Sequence, residues 1–195
     1  MTREFVILLS ILLLTGGVTA VIVASHGNHG RVSTFTDVEY KVCSELRNKA
    51  LRHFRQREFF ESENNLRRLL KIEPDNLEMQ LFYGRILLET GRTDEAERVF
   101  RRMTSANPLN SAARSNLGAA LLLRHQYETA LRELQYANRN EVSREYVAEN
   151  IRTAMRAMEL NRRAESFTIT VNPSFIHRNN IGVVTVSLTE TGRQQ

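Results

Sequence analysis

Five histidines, one cysteine and a scatter of arginine and glutamate are the side chains of this sequence that could do chemistry. His26 and His29 stand three apart, close enough for two imidazoles to touch one metal ion, but a metal centre takes three or four ligands and no other ligand lies near them in sequence. His53, His125 and His177 are scattered, with no nucleophile paired to any of them, and the chain contains no glycine-rich phosphate loop and no cluster at metal-ligand spacing. Cys43 is the single cysteine, so no disulfide can form within the chain. The expectation is a protein that is not an enzyme and that uses no metal and no cofactor.

Charge does not point to nucleic acid either. A formal charge of +5 and an isoelectric point near 9.8 would suit an anionic partner. Yet Arg67, Arg68, Arg98, Arg101 and Arg102 are mixed with glutamates such as Glu95 and Glu97, as on a solvated helix face. No long run of like charge occurs, and aromatic residues do not alternate with basic ones as single-strand binders require. With 42% hydrophobic residues, 25% charged residues and three prolines, the composition is that of a folded, helix-rich protein.

The elements that must position any binding residues begin with an apolar segment. Phe5 to Ala24 reads FVILLSILLLTGGVTAVIVA, twenty residues without a charge. At about 1.5 Å per residue such a helix crosses a bilayer core of roughly 30 Å. Residues 1–25 are therefore expected to be a transmembrane anchor or a signal segment, with Val18-Thr19-Ala20 and Val23-Ala24-Ser25 as candidate cleavage sites. As an anchor it makes a single-pass membrane protein, amino terminus inside and the bulk exported; cleaved, it leaves a periplasmic or secreted protein. Residues 26–36 read as a polar linker.

Beyond the linker three markers share one period. Pro74 and Pro108, Gly84 and Gly118, and Ala96 and Ala130 each lie 34 positions apart. The chain thus divides into units 43–76, 77–110 and 111–144, each long enough for two helices and a turn. In the second unit Asp75 and Asn76 are placed to cap a first helix, Leu77, Leu81, Leu87 and Leu88 recur at helical spacing, and Gly91 ends it. Thr93-Asp94 should cap the second helix, which Phe100 and Met103 continue until Asn107-Pro108 stops it. Gly84 falls inside the first helix, where glycine costs about 1 kcal/mol relative to alanine. A close helix approach is expected there, with Ala96 as the complementary small surface. Thr36 and Glu39 form a capping-box pattern that starts the first helix near Asp37. At the far end, residues 145–163 make an amphipathic helix with Val147, Ile151, Ala154, Met155 and Met158 on one face, suited to cap the stack.

These units resemble tetratricopeptide repeats, whose signature is a small residue in the first helix, an alanine early in the second, an aromatic one turn later and a closing proline. The second unit carries all four as Gly84, Ala96, Phe100 and Pro108. The third has Leu117, Gly118, Tyr127, Ala130 and Ala137, with Val142 where the proline would stand; the first has Ala50, Ser62, Leu66 and Pro74. The resemblance spans Cys43 to Arg144, about half the chain. It implies an all-α protein, a tetratricopeptide-like α-solenoid of about three helix pairs plus a capping helix over residues 37–164. The first helices of the pairs would line a concave groove that receives a protein or peptide partner. Carried over residue by residue, the resemblance places Arg47, Leu51, Phe54 and Arg55 of the first unit in that groove, with Leu81, Arg85 and Glu89 of the second. Ser115, Asn116, Ala119 and Leu122 follow from the third, and Glu149, Asn150 and Thr153 from the capping helix. Relatives that clamp acidic chaperone tails use asparagines where Leu51 and Phe82 stand, so that ligand is not expected.

Residues 165–195 change character. Phe167, Ile169 and Val171 alternate with Thr168 and Thr170, and Val184, Val186 and Leu188 with Thr185 and Ser187, which is strand periodicity. Two strands alone are marginal in water. They must pack on the repeats, pair with a second copy in an oligomer, or extend a partner's sheet. The whole reads as a membrane-anchored scaffold or adaptor holding a protein partner in an exported envelope complex, or else as a signal-cleaved periplasmic adaptor or chaperone.

Overall fold

The computed structural model describes residues 37–140, 145–172 and 182–191; Phe5–Ala24, the linker, Thr36, Val142 and His177 lie outside the described residues. Among the described residues seven helices follow in order: α1 (Asp37–Arg55), α2 (Phe59–Ile72), α3 (Leu77–Glu89), α4 (Thr93–Ala106), α5 (Ser111–Leu123), α6 (Tyr127–Asn140) and α7 (Glu145–Arg162). Two strands complete the fold, β1 (Phe167–Val171) and β2 (Val186–Glu190). Short turns force successive helices to pack side by side, α1 on α2, α3 on α4 and α5 on α6, and α7 closes the stack against α6. The chain is thus the mostly helical solenoid of helix pairs with a small two-stranded sheet that its repeat period implies. Among the described residues no helix is long and apolar enough to cross a membrane.

The period is visible in the local chemistry. Asn76 and Asn110 occupy equivalent positions, and each side chain accepts a hydrogen bond from a free amide of the helix it starts, Met79 N at 3.1 Å and Ala113 N at 2.9 Å. The expected Thr93-Asp94 cap is not formed. Helix α4 begins after Arg92 without a side-chain cap, and the Arg92 guanidinium is drawn to Glu95 at 2.6 Å and Glu63 at 2.8 Å. Each pair turns through a left-handed residue at one equivalent position, Arg57 (φ 62°), Gly91 (φ 75°) and His125 (φ 60°). Gly84 does mark a close approach, but to the Phe100 ring rather than to Ala96: a Cβ there would lie 2.4 Å from ring carbons. Gly118 repeats the contact against Leu134 at 2.5 Å. In the first pair Ser62 fills the alanine slot, fully buried, and donates to Ala50 O at 2.8 Å.

Helix α7 is rotated from the face its apolar residues suggested. Met155 is 60% exposed, whereas Asn150, Thr153, Ala157 and Leu160 join Val147 and Ala154 inside. Polar groups are thereby turned toward the concave side. Helices α3 and α5 are buried nearly all round, from Leu81 to Leu88 and from Ser111 to Leu122, Tyr83 and Arg114 excepted. One side of each meets neighbouring helices; the other meets the carboxyl-terminal segment, which packs on the repeats.

β1 and β2 are antiparallel, Phe167 opposite Glu190 and Val171 opposite Val186. β1 forms where the alternation places it. β2 begins at Val186 rather than Val184, because Gly182 to Thr185 run extended along the helices and give most of their main-chain bonds to helix side chains.

A concave groove that holds an extended chain

The groove is built from residues one repeat apart. Asn116 on α5 and Asn150 on α7 are 34 positions apart and both fully buried. The Asn116 carboxamide donates to Gly182 O at 2.7 Å and accepts from Val184 N at 3.0 Å. The Asn150 carboxamide donates to Val184 O at 2.9 Å and accepts from Val186 N at 3.0 Å. A primary amide offers one acceptor and two donors in a plane, so each asparagine stands in for a peptide group of a neighbouring strand. One step along the solenoid advances two residues along the bound chain, about 6.6 Å.

Two further groups extend the grip. Thr153 donates to Val186 O at 3.1 Å. From α3, Arg85 donates to Val183 O at 3.1 Å, and its guanidinium lies 5.1 Å from the Phe54 ring centre and 3.3 Å from Glu89. Arg85 is 1% exposed; burial pushes its pKa down and the Glu89 carboxylate works against that. An arginine keeps its charge under such pressure, so it acts as a fixed donor. Val183, Val184 and Val186 are completely enclosed and belong to the main apolar core. Gly182 is required by contact: a Cβ there would lie 2.5 Å from Leu81 Cβ and 2.8 Å from the α3 backbone.

The fourteen residues expected in the groove fall into three sets. Leu81, Arg85, Ser115, Asn116, Asn150 and Thr153 converge on the 182–186 segment, Ser115 through its hydroxyl 3.3 Å from the Asn150 amide. Phe54, Glu89, Ala119 and Leu122 stand behind them: Phe54 is buried edge-on to Phe82, Glu89 holds Arg85, and Ala119 and Leu122 are core. Arg47, Leu51, Arg55 and Glu149 remain wholly or partly exposed, Arg47 beside Glu78 at 3.7 Å and Glu149 paired with Arg152. Sequence reasoning missed the occupant. Its signal was the adjacent pair Val183-Val184, which breaks strict alternation and implies burial on both faces. Among the described residues no three His, Cys, Asp or Glu side chains gather as metal ligands would.

The fold and this site define a class: an α-solenoid whose concave side holds an extended segment of its own chain through main-chain hydrogen bonds. Residues 54–108 and 87–141 match two tetratricopeptide-repeat family models, so tetratricopeptide repeats are found from α2 through α6. Repeats of this type generally serve as non-catalytic protein-interaction scaffolds. No curated protein matches the chain. Among solved structures, a point mutant of the Thermobaculum terrenum O-GlcNAc transferase is 23% identical with a TM-score of 0.56, over 67% of this chain and 28% of that one. The chain therefore corresponds to less than a third of that enzyme's length. The Sgt2 repeat domain from Aspergillus fumigatus is 19% identical with a TM-score of 0.58, over 64% of this chain and 84% of that one. The first repeat domain of Spaghetti (RPAP3), bound to an HSP90 peptide, is 17% identical with a TM-score of 0.55, over 61% and 94%. At these identities the likeness is one of fold.

Proposed function

We propose that this protein is a membrane-tethered scaffold that holds a protein partner on the concave side of its repeats, within an exported complex of the cell envelope. The observation that carries the reading is the pair of buried asparagines, Asn116 and Asn150, reading both main-chain groups of an extended segment. The groove is thus chemically a polypeptide receptor. A relative of the same fold is seen with a bound peptide, which agrees with that use. The chain's own 182–186 segment fills the stretch from α3 to α7, while Arg47, Leu51 and Arg55 on α1 leave its first part accessible. One apolar side chain between two arginines suits a partner with an apolar anchor and acidic neighbours. The uncharged Phe5–Ala24 segment supports the tether.

The test has two arms on the full chain in its native cells. A photo-crosslinking side chain at Leu51 should capture a discrete partner, and the same group at exposed Arg102 on α4 should not; equal capture from both, or none at Leu51, overturns the groove reading. For the tether, membranes washed in high salt should keep the protein and detergent should release it. Release by salt, or a mature amino terminus just after Ala20 or Ser25, overturns the anchor and leaves an exported soluble adaptor.

A further inference from the structure

The sheet has one taken side and one open side. Beyond β1 and β2 the ladder continues with Asn172 N donating to Thr185 O at 2.9 Å and Thr191 N to Ser166 O at 3.0 Å. In an antiparallel pair the residues that exchange these bonds alternate. Thr168 and Thr170 therefore face β2, and the amides and carbonyls of Phe167, Ile169 and Val171 point away from it. On the far side of β2, Val186 is bonded to Asn150 and Thr153, and α7 packs against the strand. No hydrogen bond among the described residues reaches the outward groups of β1. The strand also lacks what normally shields an edge: it carries no charge, no proline and no bulge, and its outward-facing side chains Thr168 and Thr170 are exposed. Thr170 and Val171 border a cleft lined by Arg57, Gly91 and Thr93, so β1 runs along the rim where the helix pairs turn.

The sequence of the strand says what fits this edge. Phe-Thr-Ile-Thr-Val reads nearly the same in both directions about Ile169. Antiparallel pairing through a two-fold axis at Ile169 sets Ile169 against Ile169, Phe167 against Val171 and Thr168 against Thr170. The three outward residues then fall in hydrogen-bonded pairs, every open main-chain group is met, and no like charges face each other. We infer that β1 is a self-association edge, which pairs with β1 of a second copy of this chain to make a continuous four-stranded sheet. The inference is independent of what occupies the concave groove.

Two full-length populations, one Thr168→Cys and one Thr170→Cys with a distinguishing tag, are mixed in detergent micelles under mild oxidation. Positions 168 and 170 of facing copies form a non-hydrogen-bonded pair, with Cα atoms about 4.5 Å apart, within the span a disulfide bridges. The 168–170 link should form several-fold faster than the 168–168 and 170–170 links; Cys43 is buried and its links are separable by mass. Ile169→Pro removes one outward amide and leaves the inner bonds to β2 in place, so it should abolish the fast link. Adding Thr170→Lys to the Thr168→Cys chain and Thr168→Lys to the Thr170→Cys chain leaves the two thiols facing each other but sets two lysines opposite one another at the symmetry-related pair. It should do the same through like charges at exposed positions, with helicity unchanged. Equal rates for the three links, no link, or a fast link that survives both variants overturns the inference.

Discussion

A single buried carboxamide decides a surprising amount of this fold, because it satisfies two main-chain groups that have no route to water. Replacing Asn116 or Asn150 by alanine leaves one carbonyl and one amide of the 182–186 segment unmet, at about 1–3 kcal/mol for each buried group. Each variant is expected to lose roughly 3 kcal/mol of unfolding free energy in a urea titration. Asn116→Asp keeps the acceptor for Val184 but loses the donor to Gly182 and buries a charge, so it should be no more stable than the alanine variant; parental stability would end the account. A second prediction concerns Glu97, which bridges Arg101 at 2.7 Å and Arg124 at 2.5 Å. Burial works to raise its pKa, but the two guanidiniums outweigh it and hold the carboxyl below the ordinary 4.5. The unfolded chain then binds more protons, so this stabilisation is complete above pH 4.5 and is lost as pH falls through the folded value. Glu97→Gln should flatten the acid limb of a Tm-against-pH curve. Asn116, Asn150 and Arg85 were legible as groove residues because the resemblance to tetratricopeptide repeats places their positions on the concave side, Asn116 and Asn150 one repeat apart and Arg85 two repeats before Thr153. Their ligand was not, since it lies 66 positions beyond Asn116 and no local pattern encodes so long a pairing.

Elements were the most legible level, because the 34-residue spacing and the helix punctuation agree with each other. Two misplacements have one cause. The start of β2 shifted to Val186 and the inner face of α7 turned from Met155 toward Asn150 and Thr153, both because main-chain bonding in the groove outweighed the alternation and the apolar stripe. The glycines separate contact from conformation. Gly91 has φ 75° and nothing within 4 Å of an added Cβ, so Gly91→Ala is expected to cost about 1 kcal/mol, all of it backbone strain. Arg57 and His125 bear that cost in the neighbouring pairs. Gly84 is helical, yet a Cβ would meet the Phe100 ring at 2.4 Å. Overpacking costs typically about 1–3 kcal/mol, against a gain of about 1 kcal/mol in helix propensity. Gly84→Ala should therefore lower Tm while Phe100 and its neighbours show shifted packing by NMR, and Gly91→Ala should lower it with shifts confined to the turn.

At the scale of the whole molecule the carboxyl-terminal segment changes the physics of the array. A solenoid whose units touch only their neighbours can fray from either end. Here residues 183–186 bond to α3, α5 and α7 at once, so these helices cannot separate without breaking the brace. Helices α1 and α2 are outside it. Their core is a separate cluster of Leu46, Ala50, Phe54, Leu66 and Leu69 on Met79, Phe82 and Ile86 of α3, and the Arg85 contact with Phe54 ties it to the brace. Amide exchange should therefore be graded: α1 and α2 first, through local opening, and α3, α5 and α7 together with the amides of Val184 and Val186 only at the rate of global unfolding. Asn150→Ala should bring α7 toward the faster class and leave α1 unchanged. Uniform protection from α1 to α7 in the parent, or an Asn150→Ala chain that keeps α7 protected, would mean that the segment merely fills the groove and does not tie the helices together.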